Sequence, residues 1–356
     1  MGAPLLRLDS VSKPSLGLHG VSLAIPMGAT TVLLGAAGSG RTGVLRLLAG
    51  LASPDTGRLL LDGAPFDRPP PGWRGAGLWQ PLGTPGRLRT VEQVVTAPVL
   101  GLPPRERAAH VARALTAFGL DGQEAQRVDR LGELPQRRLA LARAIAPLPS
   151  LLLLDEPFAG LDQALRERLA LELRAVLREA GMTAVLATRE REEALLLAAH
   201  LAVLEDGQVA QEGTPQQLYD EPASAAVAAL TGECNRLPGT VLALEEAECQ
   251  VRLDCGPELW TRRGDVAGPG SRCVVAVRPE RVAVAAMRAE EMGEGALPAA
   301  LRDIIFRGDH WRLELELGRG GSLIAKRPAG SRVPRPGGPA AVAWDPYAGF
   351  AFRVFR

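Results

Sequence analysis

An apolar strand, Thr31-Val32-Leu33-Leu34, runs into Gly35-Ala36-Ala37-Gly38-Ser39-Gly40-Arg41-Thr42, and an apolar helical stretch follows over Val44–Leu51. Glycines at this spacing let successive backbone N–H groups turn inward. A helix starting directly behind them adds partial positive charge, so the segment is suited to cradle phosphate oxygens. Arg41 stands where such loops carry lysine, and Thr42 is placed to ligate Mg²⁺. A glycine-rich turn without a ligand is the plainer alternative, but it leaves the agreement of glycine spacing, hydroxyl and flanking elements unexplained. Farther along, the strand Leu151-Leu152-Leu153-Leu154 ends in Asp155-Glu156-Pro157. A carboxylate closing a buried strand beside a phosphate loop can hold a magnesium shell. A second carboxylate next to it can orient or deprotonate an attacking water. Together the two segments point to nucleotide chemistry.

The chain has 356 residues, which at ~150 residues per domain suggests roughly two domains. Up to residue 232, apolar strands alternate with Arg/Ala/Leu-rich helical stretches: Thr31–Leu34, a long helical region over Arg105–Ala146, Leu151–Leu154 and Ala184-Val185-Leu186-Ala187. That alternation predicts a mostly parallel sheet with helices packed on it. From 233 to 356 the pattern becomes short strands between Gly/Pro turns, among them Val274–Val277 and the strictly alternating Arg312–Leu317. This second domain reads as a small all-β barrel.

The hydrophobic fraction of 46% and charged fraction of 23% are those of a soluble globular protein. Lys plus Arg number 41 against 40 acidic residues, a net charge of +1, which argues against binding a polyanion by bulk electrostatics. Only Lys13 and Lys326 are lysines. The start lacks the basic segment and apolar core of a secretory signal. The most apolar stretch, Ala194–Leu204, is interrupted by His200 and falls short of the ~20 residues a membrane span needs. Cys234, Cys249, Cys255 and Cys273 lack Cys-x-x-Cys spacing and read as reduced thiols of a cytoplasmic protein.

At these residues the chain resembles the ATP-binding subunit of an ABC transporter over essentially its whole length. Asp155-Glu156-Pro157-Phe158-Ala159-Gly160-Leu161-Asp162 is similar to that family's Walker B strand, catalytic glutamate and D-loop. Gln80, in Gly77-Leu78-Trp79-Gln80, matches the Q-loop glutamine that contacts the metal and couples to the membrane subunit. Glu233–Gly239, Arg278-Pro279-Glu280 and Trp344-Asp345-Pro346 resemble the C-terminal TOBE barrel of importer ATPases for sugars, polyamines, ferric iron and oxyanions. The resemblance implies an α/β P-loop NTPase fold for 1–232, with a helical subdomain at about 85–150, and a TOBE-like barrel for 233–356. It implies ATP and Mg²⁺ as ligands, with Thr42, Asp155 and Gln80 at the metal and Glu156, Gln80 and Arg189 as catalytic positions. It also implies transmembrane permease subunits, a second ATPase subunit and, indirectly, a solute-binding protein as partners. The expected place is the inner face of the cell membrane, held there through the permease.

Four departures from the family pattern fall on the chemistry. Arg41 replaces a lysine that acts as a compact point charge, and a planar guanidinium is not its equivalent, although a chain so poor in lysine could have drifted there by composition. The signature Leu-Ser-Gly-Gly-Gln becomes Leu131-Gly132-Glu133-Leu134-Pro135, which loses the serine hydroxyl, loses an N–H at Pro135 and adds a charge. At ~5 Å and an effective dielectric of ~20 that charge repels a phosphate by about 3 kcal/mol per unit charge. Thr188-Arg189-Glu190 replaces Thr-His-Asp; arginine can stabilise transferred charge but cannot accept a hydrogen bond. Residues 1–34 contain no Phe, Tyr or Trp to stack on adenine, and His19 is their only ring.

Two readings follow, a working importer ATPase or a hydrolysis-impaired, nucleotide-binding partner subunit. A third, an ABC ATPase acting on nucleic acid, fits poorly with the near-zero net charge, so no nucleic-acid partner is expected.

Overall fold

The computed structural model describes residues 4–65, 75–79, 89–286, 296–318, 320–331, 333–335 and 337–354. The chain divides into two compact units, Met1–Leu218 and Tyr219–Arg356, ahead of the boundary at 232 expected from the change in sequence character.

The first unit contains β1 (Pro4–Lys13), β2 (Leu18–Pro26), β3 (Thr30–Leu34), α1 (Arg41–Leu48), β4 (Thr56–Leu61), β5 (Ala64–Pro65), β6 (Ala76–Trp79), α2 (Val91–Thr96), α3 (Pro104–Ala117), α4 (Glu133–Ile145), β7 (Leu151–Asp155), α5 (Gln163–Glu179), β8 (Ala184–Thr188), α6 (Arg191–Leu197), β9 (His200–Glu205) and β10 (Gln208–Gly213). One sheet runs in the order β10-β9-β3-β8-β7-β6. Its β6, β7, β8, β3 and β9 are parallel and β10 is an antiparallel edge. A second, antiparallel sheet has the order β2-β1-β4-β5. The mostly parallel sheet expected from the strand–helix alternation is therefore present. Strands β3, β7 and β8 are almost continuously buried, as parallel strands covered on both faces must be.

Two helical expectations need correction. The region Arg105–Ala146 is not one helical run. Gly119 (φ +61°) and Gly122 (φ +78°) take left-handed backbone between α3 and α4, a conformation that ends a helix. The helix behind the glycine loop starts earlier and stops sooner than Val44–Leu51. Gly50 at φ +69° breaks it, and Leu51 lies outside, 66% exposed.

The second unit opens with helical residues up to Asp220, where α7 (Pro215–Asp220) ends, and α8 (Ala225–Thr231). A closed barrel follows from β11 (Asn235–Leu244), β12 (Glu248–Leu253), β13 (Glu258–Arg263), β14 (Arg272–Val277) and β20 (Gly349–Arg353). Beyond the single barrel expected, β15 (Ala283–Ala285), β16 (Leu297–Phe306), β17 (His310–Leu317), β18 (Gly321–Pro328) and β19 (Pro339–Ala343) form a five-stranded sheet of order β15-β19-β16-β17-β18. One apolar core joins barrel residues such as Val251 and Val275 to Leu313, Leu315 and Leu317 of β17, the inward half of the alternation seen in sequence. Cys249 and Cys273 lie in that core as free thiols, and burial pushes both up to about 11.

Arg278 ties residues 219–233 to the barrel. It is 4% exposed and donates from Nη1 to the carbonyls of Ala228 (2.6 Å) and Glu233 (3.3 Å), and from Nη2 to the Tyr219 carbonyl (3.1 Å) and Thr231 Oγ1 (3.0 Å). Its guanidinium also lies 4.1 Å from the Tyr219 ring centroid. Removing a buried donor with this many partners leaves several acceptors unpaired. Arg278→Ala is therefore expected to lower unfolding free energy by ~2–4 kcal/mol, read as a lower urea midpoint for the second unit; an unchanged midpoint contradicts it.

Candidate phosphate-binding and hydrolytic site

The glycine loop joins the end of β3 to the start of α1. Its glycines are needed for space and for dihedral angle. A Cβ on Gly35 would sit 2.5 Å from both the Leu204 carbonyl and Ser39 Oγ. Gly38 and Gly40 have φ of +81° and +97°, and a Cβ on Gly40 would also meet Leu18 Cδ2 at 2.7 Å. A turn closes at Ser39 N–H to Ala36 O, 3.2 Å. Among the described residues, Ser39 Oγ and Arg41 Nη1 are buried side-chain atoms without a hydrogen-bond partner. Buried polar atoms in native folds are normally satisfied, so two unsatisfied groups in a glycine cradle fit a phosphate-bearing ligand. Ala36 and Ala37 complete the exposed crown of the loop.

Thr42 Oγ1 donates to Asp155 Oδ2 at 3.0 Å, bringing α1 and the end of β7 together. One hydroxyl and one carboxylate form a hard-oxygen set of the kind Mg²⁺ uses when phosphates and waters complete its shell. Glu156 comes next, with left-handed backbone (φ +44°) and its N–H bonded to the Ala187 carbonyl at 2.9 Å. Arg189 meets its carboxylate with a fork: Nε to Oε1 at 3.0 Å and Nη2 to Oε2 at 3.2 Å. Arg41 Nη2 reaches the same Oε1 from the opposite segment at 3.3 Å. The Arg41 side chain is 8% exposed; burial lowers its pKa from the usual guanidinium value, and Glu156 opposes that shift.

Behind Arg189, Thr188 Oγ1 donates to Glu193 Oε2 at 2.5 Å and accepts from the Glu190 N–H at 3.0 Å. Burial pushes the Glu193 carboxyl up. Arg166 bonds the Leu161 carbonyl at 3.1 Å and lies 3.4 Å from Glu190 and 3.6 Å from Glu193. A cavity of about 90 Å³ is lined by Glu156, Arg166, Thr188, Arg189, Glu190 and Glu193, among others. Sequence reasoning missed Arg166, Glu193 and the pairing of both arginines with Glu156; the signal it could have used was a pair of arginines at positions that must both face one retained glutamate.

The other sequence-derived positions lie elsewhere or have local work. Asp162 is the N-cap of α5, its Oδ1 accepting from the Leu165 N–H at 2.9 Å. Gly132 is the N-cap of α4, without a side-chain cap, and Glu133 is the first residue of that helix and exposed. An acid there is favourable to the helix dipole, which gives Glu133 a structural reason that its charge alone lacked. Leu131 is 7% exposed, and its carbonyl accepts from Gln136 Nε2 at 2.9 Å. Leu134 and Pro135 follow in the first turn, and none of residues 131–135 lines the 90 Å³ cavity. Arg137 Nη2 links α4 to the Ala159 carbonyl at 2.6 Å. Gln80 lies outside the described residues.

Residues 18–159 match the ABC transporter family and residues 275–352 the TOBE domain. The spermidine/putrescine import ATP-binding protein of Rubrobacter xylanophilus is 33% identical over 97% of this chain and 93% of its own. The Fe(3+) ions import ATP-binding protein of Rhizobium etli is 33% identical over 83% and 82%. This chain belongs to the import ATP-binding subunits of ABC transporters. It is an ABC-type ATPase that binds nucleotide and couples its hydrolysis to import, and this kinship favours the working ATPase over the impaired partner. Among solved structures, cbiO1 of Clostridium perfringens, described as part of an ABC transporter complex, aligns with TM-score 0.55 and 26% identity over 62% of this chain and 92% of that one. A dimeric bacterial ABC transporter cassette shares the fold, with TM-score 0.50 and 24% identity over 59% and 98%.

In this ABC ATPase the loop has no room for a side chain at Gly35 or Gly40. Gly40→Ala meets both a left-handed φ and a clash, and is expected to cost ~1–3 kcal/mol of stability from the backbone alone. A thermal melt and an ADP titration should show both lower stability and weaker binding; a variant like the parent in both overturns the assignment of Gly40 to the cradle.

Proposed function

We propose that this subunit hydrolyses MgATP at the loop Gly35–Thr42, with Glu156 as the general base, while paired with a second nucleotide-binding domain and docked on a transmembrane permease at the cytoplasmic face of the membrane. The observation that carries the reading is the Thr42–Asp155 hydrogen bond of 3.0 Å, with Glu156 as the next residue: one strand end supplies a metal-type carboxylate and a base beside a phosphate cradle. Among the described residues no helix is long and apolar enough to cross a membrane; in this reading the cargo path belongs to the permease. That relatives named for polyamine and for ferric iron import are both similar to this chain supports the reading that a permease and its binding protein choose the cargo.

In the proposed reaction, water attacks the γ-phosphorus, its proton passes to a Glu156 carboxylate oxygen, and the bond from phosphorus to the bridging oxygen breaks to leave ADP. Backbone N–H groups of residues 35–42 and the start of α1 orient the phosphates. Thr42 and Asp155, with Gln80 by resemblance, would hold Mg²⁺, which when bound supplies neutralisation of phosphate charge. The segment Gly132–Pro135 would face the nucleotide of the opposing domain, and its lost donors lower the rate without removing the chemistry.

Two measurements test this reading. Phosphate release by the subunit with its permease should fall by ~10²-fold or more in Glu156→Gln, the size of losing a preorganised catalytic group; equal rates in parent and variant overturn the assignment of the base. Replacing Gly132-Glu133-Leu134-Pro135 by Ser-Gly-Gly-Gln should raise turnover by ~10-fold or more as lost donors return, and an unchanged rate shows that this segment does not reach the partner's nucleotide.

A further inference from the structure

We infer that Arg41 and Arg189 form one coupled pair of positioning residues that aims Glu156 at the water, with Arg41 also bridging the nucleotide phosphates to that base. The inference rests on the reading of Glu156 as general base and concerns residues whose types depart from the family pattern. Both guanidinium groups share Glu156 Oε1, Arg41 at 3.3 Å and Arg189 at 3.0 Å, and Arg189 also takes Oε2 at 3.2 Å. With the shared oxygen accepting two, one of the carboxylate's roughly four acceptor directions, on Oε2, remains for another donor, so the pair can orient the base without closing it. A fork on both oxygens fixes the carboxylate plane, which a single-point cation cannot do.

Arg41 has a second arm. Nη2 is engaged by Glu156, whereas Nη1 is buried and unpartnered among the described residues, in the same loop as the unpartnered Ser39 Oγ. A planar guanidinium can donate from Nη1 to a phosphate oxygen while Nη2 stays on the carboxylate. Arg189 is held in turn by its neighbours: Thr188 is buried and bonded to Glu193 and to the Glu190 N–H. Arginine at 41 is therefore more than the residue of a lysine-poor chain, because lysine at that position keeps a charge for phosphate and gives up the bridge.

The decisive experiment is a mutant cycle with kcat, KM and an ADP dissociation constant measured for each protein. Arg41→Lys is expected to keep ADP affinity within ~threefold and to lower kcat by about tenfold, since a base misplaced by an ångström costs rates of that order or more. Arg189→Lys, at a side chain 53% exposed, should do the same. It carries the test if Arg41→Lys melts early. The double variant should turn over about as fast as the slower single, because residues acting through one carboxylate do not add. The pair is overturned if Arg41→Lys leaves kcat unchanged or raises it, or if the two losses multiply in the double variant. Glu156→Gln separates the two levels: if it abolishes hydrolysis while both lysine variants work normally, the base stands and the pair falls, and if it hydrolyses like the parent, the base itself falls.

Discussion

The glycine loop, Asp155, Glu156 and Arg189 depend for their meeting on the parallel register at the carboxyl ends of three strands of one sheet. Leu34 of β3 pairs with Thr188 of β8, and Asp155 of β7 pairs with Ala187 of the same strand. Three strands thus end level with one another. The residues just beyond them, the glycine loop, Glu156 and Arg189, emerge side by side although they are far apart in the chain. Ligand sites beyond the carboxyl ends of parallel strands are a general property of such sheets. Here the buried Leu, Val and Ala of β3, β7 and β8 do the aligning, and a slip of one residue in any of them would turn a functional side chain into the core.

Much of this was legible in sequence because it is local. Glycine spacing followed by Thr42, and an apolar run closed by Asp155-Glu156, are short-range patterns whose physical demands leave few alternatives. The alternation in Arg312–Leu317 likewise identified the buried face of β17. What was illegible depends on long-range approach. Arg41 and Glu156 are 115 positions apart and Arg189 and Glu156 are 33 apart, and no periodicity encodes such a meeting. The five-stranded sheet beside the barrel was missed for the same reason, since short strands between Gly/Pro turns do not declare which partners they choose. Between α3 and α4 the Arg/Ala/Leu composition points to helix, whereas Gly119 and Gly122 take left-handed backbone and interrupt it.

The departures from the family pattern take on different meanings once placed. Glu133 looked like a charge set against phosphate, and it occupies the first turn of α4, where an acid complements the helix dipole. Arg41 looked like compositional drift and is a half-satisfied, buried guanidinium facing Glu156. Arg189 looked like a lost histidine and grips Glu156 with a fork. The four anomalies are thus one helix-start substitution, one linked pair of guanidinium groups, and an adenine platform for which residues 1–34 supply no Phe, Tyr or Trp.

The left-handed backbone of Glu156 has a consequence of its own. A non-glycine residue held at φ +44° carries strain of ~1–3 kcal/mol that only its surroundings can sustain, and its N–H is fastened to the Ala187 carbonyl. The interior of β8 thereby acts as a spring mount for Glu156, storing part of the folding energy in its backbone. Ala187, a small residue buried in the core, thus holds the backbone of Glu156 through its carbonyl. Core changes beside Ala187 that leave the fold intact would be felt first at the Glu156 backbone, before any wider loss of structure.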